Sequence, residues 1–162
     1  MTPLLSSPLE PLRVRGGGGG SGLFGPVRRN ADGSVKWHYG LDLGGTPGAH
    51  VVAPLAGLVV RHGWCYPRDS HYRLIELYAG GWHVELLYLR PIAPTARHVE
   101  VGEWIGELLD VSSKYPGMEM DAHLHLQVWR RLDDPATEWA DVATAEHKGR
   151  RWYDPAPLLG IS

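Results

Sequence analysis

The stretch Ala122-His123-Leu124-His125-Leu126-Gln127-Val128 decides the fold. In a β-strand, residues two apart share a face. His123 and His125 therefore project together, while Leu124, Leu126 and Val128 project to the opposite face. Two neighbouring imidazoles repel when both are protonated. They are tolerable when neutral and useful when one of them binds a metal. A half-exposed sheet face with incidental histidines gives the same pattern, so the stretch needs a partner elsewhere in the chain.

Outward from this strand, the pattern is short apolar runs punctuated by Gly, Pro and Asp. Candidate strands are Val51–Val52, Gly57–His62, Arg73–Tyr78, His83–Leu89, Trp104–Leu109 and His123–Trp129. Turn signals stand between them at Thr46-Pro47-Gly48, Tyr66-Pro67-Arg68-Asp69, Ala79-Gly80-Gly81 and Tyr115-Pro116-Gly117. The 21 Gly and 13 Pro favour many short strands over long helices. The best helical candidate runs near Pro135 to His147, with Asp134 as N-cap and Pro135 at the first helical position. The fold class is therefore mainly β. At 162 residues the chain is read as one domain with a sizeable core.

Residues 1–21 read as a flexible arm rich in Pro and Gly, and residues 22–162 as the folded domain. The run Gly16 to Gly20 reads as a hinge or linker rather than as a mimic of a glycine-rich substrate peptide. No signal peptide and no membrane-spanning stretch are recognisable. A net charge of −2 does not suggest a nucleic-acid partner. Cys65 is the single cysteine, so an intramolecular disulfide and a thiolate zinc cluster are both excluded. It reads as structural rather than nucleophilic.

The partner for the two histidines is Trp37-His38-Tyr39-Gly40-Leu41-Asp42-Leu43. The glycines in and around it disfavour a helix. In a loop or extended segment, the His38 nitrogen and an Asp42 oxygen can converge on one point. Combined with His125, these residues supply two imidazoles and a carboxylate with a fourth position free, the ligand set of a catalytic zinc site. Zinc polarises a carbonyl and lowers the pKa of bound water to roughly 7. An acid/base group is still needed, and His123, on the same strand face as His125, is placed for it. Gly44-Gly45 is not followed by a Gly-Lys-Ser/Thr signature, so a phosphate loop is a poor reading.

In this order and spacing the motifs resemble those of the lysostaphin-type, LytM-like zinc endopeptidases that cut peptide bridges of bacterial cell walls. The resemblance covers roughly Gly22 to Leu159. It comprises the opening turn GLFGPVR (22–28), the HxxxD of HYGLDLG (38–44), GAHVVAP (48–54) with Gly57-Leu58-Val59, VEVGEWIG (99–106), HLHLQV (123–128) and the closing Tyr153-Asp154-Pro155 to Leu159. It implies a compact antiparallel β-sheet domain with an open groove over zinc. It also implies His38, Asp42 and His125 as metal ligands, His123 as the catalytic histidine, and peptidoglycan peptide as substrate.

Three departures stand out. Gln127 replaces the family's Glu in HLHFEV. Arg90 stands where a further histidine of a "Tyr-x-His-Leu" strand is usual; because it cannot act as a base it is assigned an oxyanion-stabilising role, the alternative being a surface charge beside a weakened site. The Asp110 to Ala122 loop is longer than usual, so Tyr115, Met118, Glu119 and Met120 are expected to shape the groove; Trp37 and Trp64 read as core residues, with a groove wall as the alternative. The sequence thus reads as a zinc metallo-endopeptidase of the cell wall, such as a phage lysin or virion-associated protein. The competing reading is a non-catalytic LytM-like module that keeps its metal.

Overall fold

The computed structural model of the chain describes residues 4–134 and 142–162. Among these described residues, twelve strands account for most of the regular structure. They are β1 (Gly25–Arg29), β2 (Val35–His38), β3 (Leu41–Gly44), β4 (His50–Val52), β5 (Gly57–Tyr66), β6 (Asp69–Ala79), β7 (Trp82–Pro91), β8 (His98–Val99), β9 (Trp104–Leu108), β10 (His123–Arg131), β11 (Thr144–His147) and β12 (Arg150–Tyr153). One short helix, α1 (Pro155–Leu158), closes the chain, capped by the Asp154 side chain. The mainly antiparallel β fold expected from the sequence is present.

The order β11-β12-β10-β7-β6-β5-β8 runs across the main sheet, and every pairing is antiparallel. Strand β10 lies at its heart. One side pairs with β7 along most of its length. The other side is divided: residues 123–126 pair with β3 and residues 128–131 with β12. As the alternation predicts, Leu124, Leu126 and Val128 are fully buried in the core, with Leu41, Leu43, Leu86 and Ile75. The turn between β6 and β7 uses Gly80 and Gly81 at φ 55° and 87°, the left-handed pair a tight hairpin requires.

Two expectations need correction. Thr144–His147, the end of the expected helix, is strand β11 paired with β12, and residues 135–141 lie outside the described residues. The N-terminal arm is packed against the domain. Leu5 and Leu9 are 3% and 2% exposed within the common core. The Leu5 amide donates to the Leu158 carbonyl, and Pro8 accepts from the Val52 amide. Arg13 accepts from Gly44 and Arg15 donates to Asp42, so the arm extends the β3 edge, with Val14 bridged to Leu43. Two buried leucines and edge pairing outweigh the freedom that proline and glycine suggested.

Candidate metal centre

The register of β3 on β10 sets Asp42 directly opposite His125. His38 arrives from the end of β2, across the turn at Tyr39-Gly40. Gly40 is required there, because a Cβ would stand 2.6 Å from His125 Nε2 and 2.5 Å from the Leu126 carbonyl oxygen. His38 Nε2, Asp42 Oδ1 and His125 Nδ1 come together. His38 Nε2 lies 3.1 Å from both other atoms, and His125 Nδ1 lies 2.7 Å from Asp42 Oδ1. The residues are 4%, 1% and 9% exposed, too little for water to solvate them freely.

The outer contacts of the two rings fix where their protons are. His38 Nδ1 faces the Leu23 carbonyl at 2.8 Å, and a carbonyl only accepts, so His38 Nδ1 carries the proton. His125 Nε2 faces Gln127 Oε1 at 3.0 Å and donates to it. Both inward nitrogens then present lone pairs, to each other and to a carboxylate oxygen. Three electron-rich atoms meet with no hydrogen between them. An extra proton on His38 would relieve this, but burial pushes His38 below its ordinary value and towards neutrality. Asp42 is held as a carboxylate by the guanidinium groups of Arg15 and Arg28 on its other oxygen. The chemistry of the donor set thus fits a shared divalent cation. Tetrahedral zinc at 2.0–2.1 Å would separate its ligand atoms by about 3.3 Å, a few tenths more than the spacing seen.

The other Asp42 oxygen is occupied by arginines. Oδ2 accepts from Arg15 Nε at 3.1 Å and Arg28 Nη2 at 2.6 Å, which leaves Oδ1 to the rings. The Arg15 side chain is 1% exposed. Its remaining nitrogens donate to the Gly18 and Gly20 carbonyls, each at 2.7 Å, so the glycine run wraps the guanidinium. Gly18 also donates to the Glu119 carbonyl, and a Cβ on Gly18 would lie 1.7 Å from the Met118 carbonyl oxygen.

His123 stands beside the cluster. Its Nδ1 donates to the Asp121 carbonyl at 2.9 Å, so the unprotonated Nε2 faces inward, 3.7 Å from Asp42 Oδ2. Burial lowers its proton affinity too. A cavity of about 620 Å³ opens here, bounded by Asp42, His123, His125, Tyr88, the glycine run and the 115–120 loop. Of the expected loop residues, Tyr115, Met118 and Met120 line it; Glu119 instead gives its carbonyl to Gly18. Neither Trp37 nor Trp64 is among its lining residues.

Arg90 is the expectation that the geometry overturns. Its side chain is 58% exposed, donates to Glu107 at 2.8 Å, and borders a different cavity with His62 and His71. The cause is a bulge in β7: Leu87 pairs with Leu74 and Leu89 with Arg73, leaving Tyr88 as the extra residue at φ 74°. The bulge puts Tyr88 edge-on to His123, with ring centroids 5.3 Å apart. Burial raises the Tyr88 phenol above its ordinary value, so it remains an O–H donor. Cys65 is no nucleophile: burial pushes its thiol up to about 11, and it donates to the Arg73 carbonyl. The sequence reading missed Arg15, Arg28 and Tyr88. Tyr88 lay two residues from Arg90 and Arg28 ended the opening turn GLFGPVR; only Arg15 lay outside the stretches singled out.

No family model matches the chain. Among curated proteins it is 27% identical over 93 residues to leukocyte cell-derived chemotaxin-2 of Bos taurus, covering 57% of this chain and 60% of that protein. The chain thus spans less than two thirds of that relative. Among solved structures it superposes on the catalytic domain of the antimicrobial peptidase lysostaphin from Staphylococcus simulans with a TM-score of 0.58. The identity is 20%, over 88% of this chain and 92% of that one. It also matches a zinc-containing peptidase from Vibrio cholerae, with a TM-score of 0.55 and 23% identity over 75% of this chain and 35% of that one. The resemblance to the lysostaphin-type proteins is borne out, and the fold is theirs.

Proposed function

We propose that the chain is a zinc-dependent endopeptidase that hydrolyses peptide cross-links of bacterial peptidoglycan. The observation that carries this reading is the meeting of His38 Nε2, His125 Nδ1 and Asp42 Oδ1 within 3.1 Å of one another, with the outer nitrogen of each ring facing an acceptor. In this reading those three atoms hold zinc. When bound, zinc supplies Lewis-acid polarisation of the scissile carbonyl and activation of the attacking water. His123 Nε2 accepts the proton of the attacking water and returns it to the leaving amine; its Nδ1–H bond to Asp121 keeps that nitrogen unprotonated and aimed inward. The Tyr88 hydroxyl takes the oxyanion role first given to Arg90. Arg29 and Lys36, cations not engaged by Asp42, also line the cavity, which favours a peptide that carries carboxylates.

The test is release of soluble fragments from purified peptidoglycan, with and without chelator, by the wild type and His123→Ala. Hydrolysis that needs metal and His123 is expected. A fully zinc-loaded protein inert on every wall type and pH tried would remove the enzyme reading. A second reading, a non-catalytic module that retains its metal, is favoured by one observation: the residue at the usual second-histidine position, Arg90, faces away from the site.

A further inference from the structure

His125 is held from behind by a row of side chains that crosses four strands. Gln127 on β10 is the register partner of Glu85 on β7, Glu85 of Glu76 on β6, and Glu76 of Arg61 on β5. Glu85 and Glu76 are 1% and 6% exposed, so these are interior contacts. His125 Nε2 lies 3.0 Å from Gln127 Oε1, and Gln127 Nε2 donates to Glu85 Oε2. Arg61 donates to Glu85 Oε1 at 2.9 Å and to Glu76 Oε2 at 2.8 Å, joining the two carboxylates.

The direction of each bond follows from the one before it. A carboxylate paired with a guanidinium only accepts, so the amide group facing Glu85 is the NH2 of Gln127. The carbonyl of that amide must then face His125, and it too only accepts. His125 is left with its proton on Nε2 and its lone pair on Nδ1, the atom that faces His38 and Asp42. A glutamate at 127 would set two carboxylates against each other across the β7–β10 ladder. Glutamine can accept from His125 and donate to Glu85 at the same time.

We propose that Gln127 is the positioning residue of the metal centre, fixing the tautomer and ring orientation of His125, with Glu85 and Arg61 locking the Gln127 amide. This rests on the metal reading given above and adds a residue that acts through His125. Outer partners of this kind typically change metal affinity by about 10- to 100-fold.

Three variants test it: Gln127→Leu, Glu85→Gln and the exchange Q127E/E85Q. The first readout is the His125 ring tautomer in metal-free protein, from long-range 1H–15N correlation. The second is zinc affinity by competition with a chelator. Wild type is expected to hold the proton on Nε2. Gln127→Leu is expected to populate the Nδ1–H form and to bind zinc about 10- to 100-fold more weakly. The exchange keeps an acceptor against His125 and is expected to stay within about threefold of wild type. Should Gln127→Leu fail to fold, Glu85→Gln decides: it frees the amide to flip, and an unchanged tautomer and affinity would overturn the proposal. Gln127→Leu with the Nε2–H form and zinc affinity of wild type would overturn it as well. Wild type that binds no zinc would remove the metal reading beneath it, an outcome distinct from wild type and Gln127→Leu binding zinc equally.

Discussion

Asp42 and His125 face each other across one ladder, yet they are held by different kinds of structure. Behind His125 stands the sheet: Gln127, Glu85 and Arg61 occupy consecutive register positions, and each bond follows from strand pairing. Behind Asp42 stands the N-terminal segment, where Arg15, 27 residues away in sequence, is buried and wrapped by glycine carbonyls. The first support is periodic and built into the core. The second depends on the Arg15 and Arg28 ion pairs and on a backbone that has no side chains at Gly17 and Gly18. A change on the Asp42 side should therefore be felt first as lost stability and a detached arm. A change on the His125 side should be felt first at the metal.

The sharpest way to break this contrast is Arg15→Met. It removes a cation from a buried carboxylate and from the glycine run, and should cost about 3 kcal/mol in a denaturant titration. A change below about 0.5 kcal/mol would show that Arg28 alone suffices. Next is the pair Tyr88→Phe and Arg90→Ala. The first should lower turnover by about 10²-fold with zinc retained, and the second should leave turnover unchanged. The reverse ranking would restore Arg90 and refute the bulge argument. Gly18→Ala should cost about 1–2 kcal/mol, because its Cβ would strike backbone rather than a flexible side chain. Amide exchange should rise at residues 16–20 and stay unchanged along β10; equal loosening of both would erase the distinction.

The chelated protein should also show a slope of stability with pH. His38 and His123 both have folded values lowered from 6.5, chiefly by burial. Below about 6.5 the unfolded chain therefore binds more protons than the folded one. Stability should rise with pH through this window and be lost as pH falls, by at most about 1.4 kcal/mol per pH unit for each ring. A flat midpoint between pH 7 and 5 would contradict the neutral, buried rings.

Strand alternation made β10 legible, because two-residue periodicity survives in any mainly β context and Leu124, Leu126 and Val128 carry it plainly. The convergence of His38, Asp42 and His125 was legible from ligand types and order. Tyr88 was not: a bulge shifts the parity of β7, and no residue type announces it. The arm was misread because its leucines are isolated by prolines and its glycines look like a linker. Their close approach to Met118 and Glu119 exists only once the 115–120 loop is in place. Arg15 had no sequence signal, since its partner is fixed by edge pairing to β3 and not by spacing.

The central claim is that three lone pairs await one cation. Zinc bound per chain, measured after reconstitution and exhaustive dialysis, tests it most directly. One equivalent is expected in wild type and in His123→Ala, and none in His125→Ala. A wild type without zinc, or a His125→Ala protein that still holds a full equivalent, would contradict it.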